Sequence, residues 1–249
     1  MKAGFLLINK PTGKTSFDCI RVIKKLMPRG TKVGHSGTLD DFATGLLIIC
    51  IGRPATRLAS TLFACDKEYI VKAKLGEQSD SLDCTGKIIQ TASDAMIDRI
   101  TETQLREAMQ SLQPSYLQIP PIYSALKHQG KPLYTLARKK KLPTDVLETI
   151  AQQKGREVFI KEIELLDFKP PFFTIRTLVS KGTYVRSLAH DIAQKLGLPA
   201  TTYELERTKI SNLLLKQSVH LADLCDRLKL QEKLIDIDEM IQRLSHQSH

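Results

Sequence analysis

The sequence predicts a mixed α+β fold, and three observations predict it. Strand-like apolar runs and amphipathic helical segments alternate irregularly along the chain, not as a regular βαβ array. No internal repeat is visible. With 42% hydrophobic and 26% charged residues, a chain of 249 can bury one sizeable core, as a single domain over 1–249 with modest appendages. The same composition excludes disordered, collagen-like and coiled-coil chains.

The elements follow in order. The N-terminus has a leading charge at Lys2, but its apolar run Phe5–Ile8 is too brief for a secretory signal and no small-residue cleavage site follows. Ser16 is expected to N-cap a helix in which Phe17, Ile20, Ile23 and Met27 recur at helical spacing before Pro28, with Arg21, Lys24 and Lys25 on a second, basic face. Leu46–Ile51 and Glu68–Leu75 read as strands. The first is the longest apolar stretch and falls far short of the roughly 20 residues that span a bilayer. A Thr101-x-x-Gln104 capping box opens a helix near 102–112. Thr144, as an N-cap with Asp145 and Glu148 behind it, begins a helical stretch that runs to Gly155. Phe172–Ser180 is β-rich, and a helix from about Thr183 to Leu196 stops at Gly197, the usual residue just past a helix end. The last thirty or so residues read as a short helical tail.

Charge and cysteine usage bound the function. The excess of 37 Lys+Arg over 27 Asp+Glu, +10 in all, favours polyanionic partners. It is concentrated: Ala108–Thr144 contains no acidic residue while Lys127, Lys131, Arg138, Lys139, Lys140 and Lys141 accumulate there. Prolines 114, 120, 121, 132 and 143 and tyrosines 116, 123 and 134 interleave with them, a mix suited to a loop that stacks on bases and holds phosphates. Cys19, Cys50, Cys65, Cys84 and Cys225 form no C-x-x-C pair, so reduced, buried packing residues in a cytoplasmic protein are expected, with no structural zinc site.

The usual motifs fail on inspection. Gly13-Lys14-Thr15 would need glycine at position 8 to be a P-loop, and Ile8 stands there. Asp80–Gly86 lacks calcium-loop spacing and reads as an Asx-type turn. No H-E-x-x-H or G-x-S-x-G occurs. The most concentrated polar, glycine-rich stretch is Gly34–Gly45, running straight into the Leu46–Ile51 strand, where a loop would present His35 or Asp40 on a rigid scaffold.

In this segment, and at Lys10-Pro11-x-Gly13, Gly52–Arg57, Lys67-Glu68-Tyr69, Asp80–Gly86, Pro120–Lys127, Lys181–Arg186 and Leu205–Thr208, the sequence resembles the bacterial tRNA pseudouridine-55 synthases of the TruB type. The anchors stand in family order over roughly residues 5–215. The resemblance implies the pseudouridine synthase fold, a mixed, mostly antiparallel sheet flanked by helices, with an RNA-gripping insertion loop at about 113–155. It implies isomerisation of uridine 55 in the T-loop of tRNA by base flipping, with no cofactor and no metal. Asp40 matches the catalytic aspartate, which would trap a ribosyl cation-like centre or take a proton on the way to a glycal. His35 would brace the flipped RNA, Tyr69 and Tyr184 would contact the extruded base, Leu205 would wall its pocket, and Arg186 would pair with Asp40. The implied partner is the tRNA T-arm stem-loop, bound by a monomer without guide RNA or membrane. A non-catalytic tRNA-binding or folding protein is the alternative, and the presence of Asp40, Tyr69 and Arg186 together weighs against it.

Two departures from the family pattern stand out. Asp41 replaces the usual proline after the catalytic aspartate, which could raise the pKa of Asp40 unless Asp41 points to solvent. Ala137–Lys141 takes the place of a glycine and a shorter return to the next strand. The tail is also shorter than in many relatives, so no full PUA-type domain is expected.

Overall fold

The computed structural model describes residues 2–245. They fall into two compact units, residues 2–70 with 204–245, and residues 71–203. The first unit begins with β1 (Gly4–Lys10), α1 (Ser16–Lys25), β2 (Val33–Ser36), β3 (Thr44–Ile51), α2 (Arg53–Arg57) and α3 (Ala59–Ala64). Strand β4 (Lys67–Leu75) leads the chain into the second unit. There follow β5 (Glu77–Ser79), β6 (Ile88–Thr91), α4 (Asp94–Ile97), α5 (Glu102–Gln110), β7 (Ser115–Gln118), β8 (Lys127–His128), β9 (Lys131–Pro132), α6 (Leu133–Arg138), α7 (Thr144–Gln153), β10 (Arg156–Lys169), β11 (Phe172–Val179) and α8 (Val185–Lys195). Strand β12 (Ala200–Ile210) brings the chain back, and β13 (Leu213–Leu214), β14 (Val219–His220), α9 (Arg227–Glu232) and α10 (Ile237–Ser245) complete the first unit. The α+β expectation is borne out.

In the first unit β3 is the organising strand. Residues 45–51 are buried without interruption, as a strand covered on both faces requires. One edge of β3 is taken from Gly45 to Ile51 by β1, antiparallel from Gly4↔Ile51 to Lys10↔Gly45. The other edge is divided. Strand β2 holds Ile48–Ile51 in antiparallel register, and β12 holds only Thr44 and Gly45, in parallel. The β2–β3 connection, Gly37–Ala43, therefore issues from a fork between two strands. Even-numbered Leu46, Ile48 and Cys50 join Phe5, Leu7, Leu62, Ile210, Leu213 and Met240 in one core. In the second unit the strand order is β4-β11-β10-β7, antiparallel through β11–β10 and β10–β7.

Several local expectations are corrected. The N-cap of α1 is Thr15, not Ser16: Thr15 and Asp18 form a reciprocal capping box, which frees the Ser16 hydroxyl for another task. Thr144 is the first helical residue of α7 and Pro143 stands at its N-cap with no side-chain cap, proline being well suited to the extended backbone at that point. Only Cys19 and Cys50 are buried; Cys84 and Cys225 are exposed and Cys65 lies between. Within 113–155 the chain is not an irregular loop. Strands β8 and β9 form a hairpin around Gln129 and Gly130, both at positive φ, as a two-residue type I′ turn needs. Helices α6 and α7 then pack Leu133, Leu136, Leu147 and Ile150 into a core of their own. The Asx-turn reading of Asp80–Gly86 is correct, since Asp83 Oδ1 accepts from Thr85 N at 3.0 Å.

Candidate active site

Asp40 lies at the middle of the Gly37–Ala43 loop, which the β1–α1 connection holds by its backbone. Ser16 Oγ accepts from Leu39 N at 2.9 Å and donates to Leu39 O at 3.3 Å. Gly13 N donates to Asp41 O at 2.8 Å, and Thr12 Oγ1 to Phe42 O at 3.0 Å. Beneath them Lys10, with no exposed surface, donates Nζ to Lys14 O at 2.6 Å, Pro11 O at 2.9 Å and Asp41 O at 3.4 Å. Burial lowers the pKa of this ammonium, and the negative charges of Asp41 and Asp40 are among the groups that oppose the shift. The backbone of residues 39–42 is thus pinned while the Asp40 residue remains half-buried. Asp41 is exposed, its carbonyl tied inward and its side chain left to solvent, so the second carboxylate is accommodated without being buried beside the first.

The fork above the loop is closed by Arg207. This residue, 1% exposed, sits opposite Gly45 in the parallel β12–β3 register. Its Nε donates to Leu46 O at 2.7 Å and its Nη2 to Gly37 O at 3.1 Å, one acceptor in β3 just past the loop and one at the loop's start. Leu46 and Leu47 lie between the two residues that β12 pairs and the four that β2 pairs, so Arg207 bonds into the gap in the ladder. Gly45, at φ +105°, admits the close approach: a Cβ there would meet the Arg207 carbonyl oxygen at 2.4 Å.

His35, on β2 opposite Ile49, is partly buried and its pKa is pushed down by burial and by the Arg207 charge, which favours the neutral imidazole. Its Nδ1 is buried without a hydrogen-bond partner. Leu205, 6% exposed, lies two residues before Arg207 and on the same face of β12. Tyr69, 8% exposed, shares a face of β4 with Lys67, whose stem passes Gly37 and whose Nζ donates to Phe63 O at 2.8 Å. Four of the six sequence-derived site residues, His35, Asp40, Tyr69 and Leu205, therefore belong to the first unit.

Tyr184 and Arg186 belong to the second unit, at the start of α8. The Gln118 side chain acts there as a peptide surrogate: Oε1 accepts from Tyr184 N at 2.7 Å and Nε2 donates to Tyr184 O at 3.1 Å. Nε2 is also within 2.6 Å of the Tyr116 hydroxyl, which donates to Asp191 Oδ2 at 2.8 Å. Burial pushes the Asp191 carboxyl up to about 6. The Arg156 guanidinium lies 5.3 Å from the Tyr184 ring centroid and donates to Gly182 O. Arg186, 4% exposed, meets Asp83 Oδ2 at 3.4 Å and donates to Ser81 O and, at 2.9 Å, to Tyr123 O. Asp83 is held for this by Thr85 and Ser81. Sequence reasoning assigned no role to Arg207, Gln118 or Asp83.

Residues 24–185 match the family described as TruB family pseudouridylate synthase (N terminal domain). The chain belongs to the TruB family. It is 40% identical over 240 residues to the tRNA pseudouridine synthase B of Clostridium tetani (strain Massachusetts / E88), covering 96% of this chain and 78% of that one. It is 38% identical over 235 residues to the tRNA pseudouridine synthase B of Protochlamydia amoebophila (strain UWE25), covering 94% and 84%. Among solved structures, a chain from an H/ACA RNP bound to a substrate RNA containing 2′-deoxyuridine has the same fold, with a TM-score of 0.67 at 21% identity. That alignment takes in 96% of this chain and spans 61% of the other. Of the site residues, His35, Asp40, Tyr69 and Tyr184 fall inside the stretch matched to the TruB family, and Arg186 and Leu205 lie beyond it.

Proposed function

We propose that this protein isomerises uridine to pseudouridine in tRNA, at position 55 of the T-loop, with Asp40 as the catalytic carboxylate. In this reaction the N1–C1′ bond breaks, the uracil turns over, C5 bonds to C1′ and the C5 proton is replaced by one at N1. All atoms of the substrate are kept. The observation that carries the reading is the construction around Asp40: a half-buried carboxylate whose backbone is pinned on both sides, in a chain of the TruB family. A loop backbone fixed before the substrate arrives reduces the reorganisation needed to bring its carboxylate to the reacting centre.

The other roles follow the same reading. The neutral His35 imidazole braces the RNA where the uridine has left its stack. Tyr69 and Tyr184 contact the extruded base, Leu205 walls its pocket, and Arg186 holds the turn that carries Asp83, whose carboxylate it meets at 3.4 Å. The Gln118 clamp and the Arg156 guanidinium supply what Tyr184 needs to present its ring in one orientation. The purified protein acts as a monomer and without a guide RNA.

The test is conversion of uridine in an unmodified T-arm stem-loop by purified protein and its Asp40→Asn variant. Asp40→Asn abolishes product and leaves tRNA affinity within about tenfold, because affinity rests on phosphate and shape contacts. Appreciable turnover by this variant removes Asp40 from the chemistry. Binding without conversion by the unaltered protein returns the non-catalytic alternative.

A further inference from the structure

Helix α1 carries a surface that the proposed chemistry does not use. Its buried residues Ser16, Cys19, Ile20 and Ile23 face inward. The opposite stripe, Phe17, Arg21, Lys24 and Lys25, is exposed at the i, i+4, i+7, i+8 spacing of a single helix face. Phe17 is 52% exposed, and the Arg21 guanidinium lies 4.9 Å from its ring centroid. Lys14 precedes the helix, Arg29 and Lys32 follow it, and all three are exposed. The one acidic residue between Pro11 and Leu39 is Asp18, and it is already spent. One oxygen accepts from Thr15 in the capping box and the other meets Arg21 at 2.7 Å. The stripe is therefore cationic, with no acid of its own segment left to neutralise it.

We infer that this face of α1 is a second RNA-backbone contact surface, distinct from the basic residues at 127–141, with Arg21, Lys24 and Lys25 on phosphates and the Phe17 ring stacking on a base. The inference rests on the tRNA reading above. Charge complementarity selects a polyanion. An exposed aromatic ring capped by a guanidinium adds a stacking platform of the kind single-stranded and loop RNA uses. A lipid surface is disfavoured, because an interfacial helix inserts an apolar face, and here the aliphatic residues are already buried. At ten residues α1 is about 15 Å long, enough to follow several consecutive phosphates. Through Thr12, Gly13 and Ser16 the start of the helix is hydrogen-bonded to residues 39–42. RNA held on α1 is thus held in the same frame as Asp40.

The experiment measures Kd for an unmodified tRNA transcript across a salt series from about 50 to 200 mM. It compares the unaltered protein, a triple Arg21→Gln, Lys24→Gln, Lys25→Gln variant, and the charge-preserving triple Arg21→Lys, Lys24→Arg, Lys25→Arg. Each phosphate contact contributes about 0.7–0.9 to the slope of log affinity against log salt. The Gln triple is expected to flatten the slope by about two and to weaken binding at least tenfold, while the charge-preserving triple keeps both. Phe17→Ala is expected to weaken binding several-fold without changing the slope. Thermal melts check that each variant folds. Unchanged affinity and slope in a folded Gln triple overturn the inference, as does a triple that keeps tRNA affinity but loses binding to anionic phosphatidylserine vesicles. Absence of any tRNA binding or conversion by the unaltered protein fails the tRNA reading itself, and this inference with it.

Discussion

Replacing Gly45 by alanine isolates the close approach that seats β12 against β3 at the end of the Asp40 loop. Two costs add. At φ +105° an L side chain is strained, at about 1–3 kcal/mol. The new Cβ would also stand 2.4 Å from Arg207 O, 2.6 Å from its N and 2.9 Å from its carbonyl carbon, all backbone atoms with no rotamer to escape through. Relief requires a displacement of about 1 Å at the only stretch where β12 is in register with β3, Glu206↔Thr44 and Arg207↔Gly45. Losing one ladder hydrogen bond at each of these two pairs adds about 0.5–1.5 kcal/mol apiece, for a total of about 2–6 kcal/mol with the strain. Gly30 is the control, since it lies in the same unit at φ +83° with nothing within 4 Å of an added methyl group, so Gly30→Ala carries the backbone strain alone. Urea denaturation of the two variants and the parent gives the difference, and single-turnover pseudouridine formation shows the effect on the Asp40 loop. If Gly45→Ala is no less stable than Gly30→Ala, the close packing of β3 on β12 is not what this glycine serves.

Other outcomes follow from the same geometry. Arg138, Lys139, Lys140 and Lys141 are all exposed at the end of α6, and changing the four to Gln is expected to weaken tRNA binding and flatten its salt slope by somewhat under one for each phosphate no longer neutralised, as read in the same salt series. Two partly buried groups give pH dependences of opposite sign. His35 has its folded pKa below the ordinary 6.5, so the unfolded chain takes the proton first; its contribution is intact above pH 6.5 and is lost as pH falls, and His35→Gln flattens that limb of the stability curve. Asp191 is raised from 3.8 to about 6, so its burial costs stability as pH rises through that interval, by up to about 3 kcal/mol. Asp191→Asn is therefore expected to raise the melting temperature at pH 7–8 and to leave it nearly unchanged near pH 3, and equal shifts at both pH values would refute the assignment.

How much was legible in the sequence depended on whether a residue acts through its side-chain chemistry or through someone else's backbone. The α+β class, the strand over 46–51, the helix starting at Thr101 and the Gly34–Gly45 loop are all marked by side-chain pattern. Strand β10 is not. Its two register shifts, at Ile160/Glu162 and Leu165/Asp167, break the period-two alternation. Exposed Phe159 and Leu166 further blur which face is inward. In 113–155 the lysines and prolines dominate the composition, while the four residues that give the segment a core come from two helices and meet only after folding. At the site, Asp40 stands out as a carboxylate among glycines. The residues that support its loop or Tyr184, namely Ser16, Lys10, Arg207 and Gln118, all bind backbone amides or carbonyls, which every residue type presents alike.

The buried Lys10 ammonium has a consequence for how the loop responds to its surroundings. Three carbonyl oxygens converge on Nζ, from Pro11, Lys14 and Asp41, the sort of oxygen cage in which other loops lodge a potassium or sodium ion. Here the cation is tethered to the polypeptide, so its occupancy is independent of the ionic composition of the medium. Swapping potassium for sodium, or dialysing either away, leaves this anchor filled, and only chemistry on the amine itself, reachable when the unit opens, empties it.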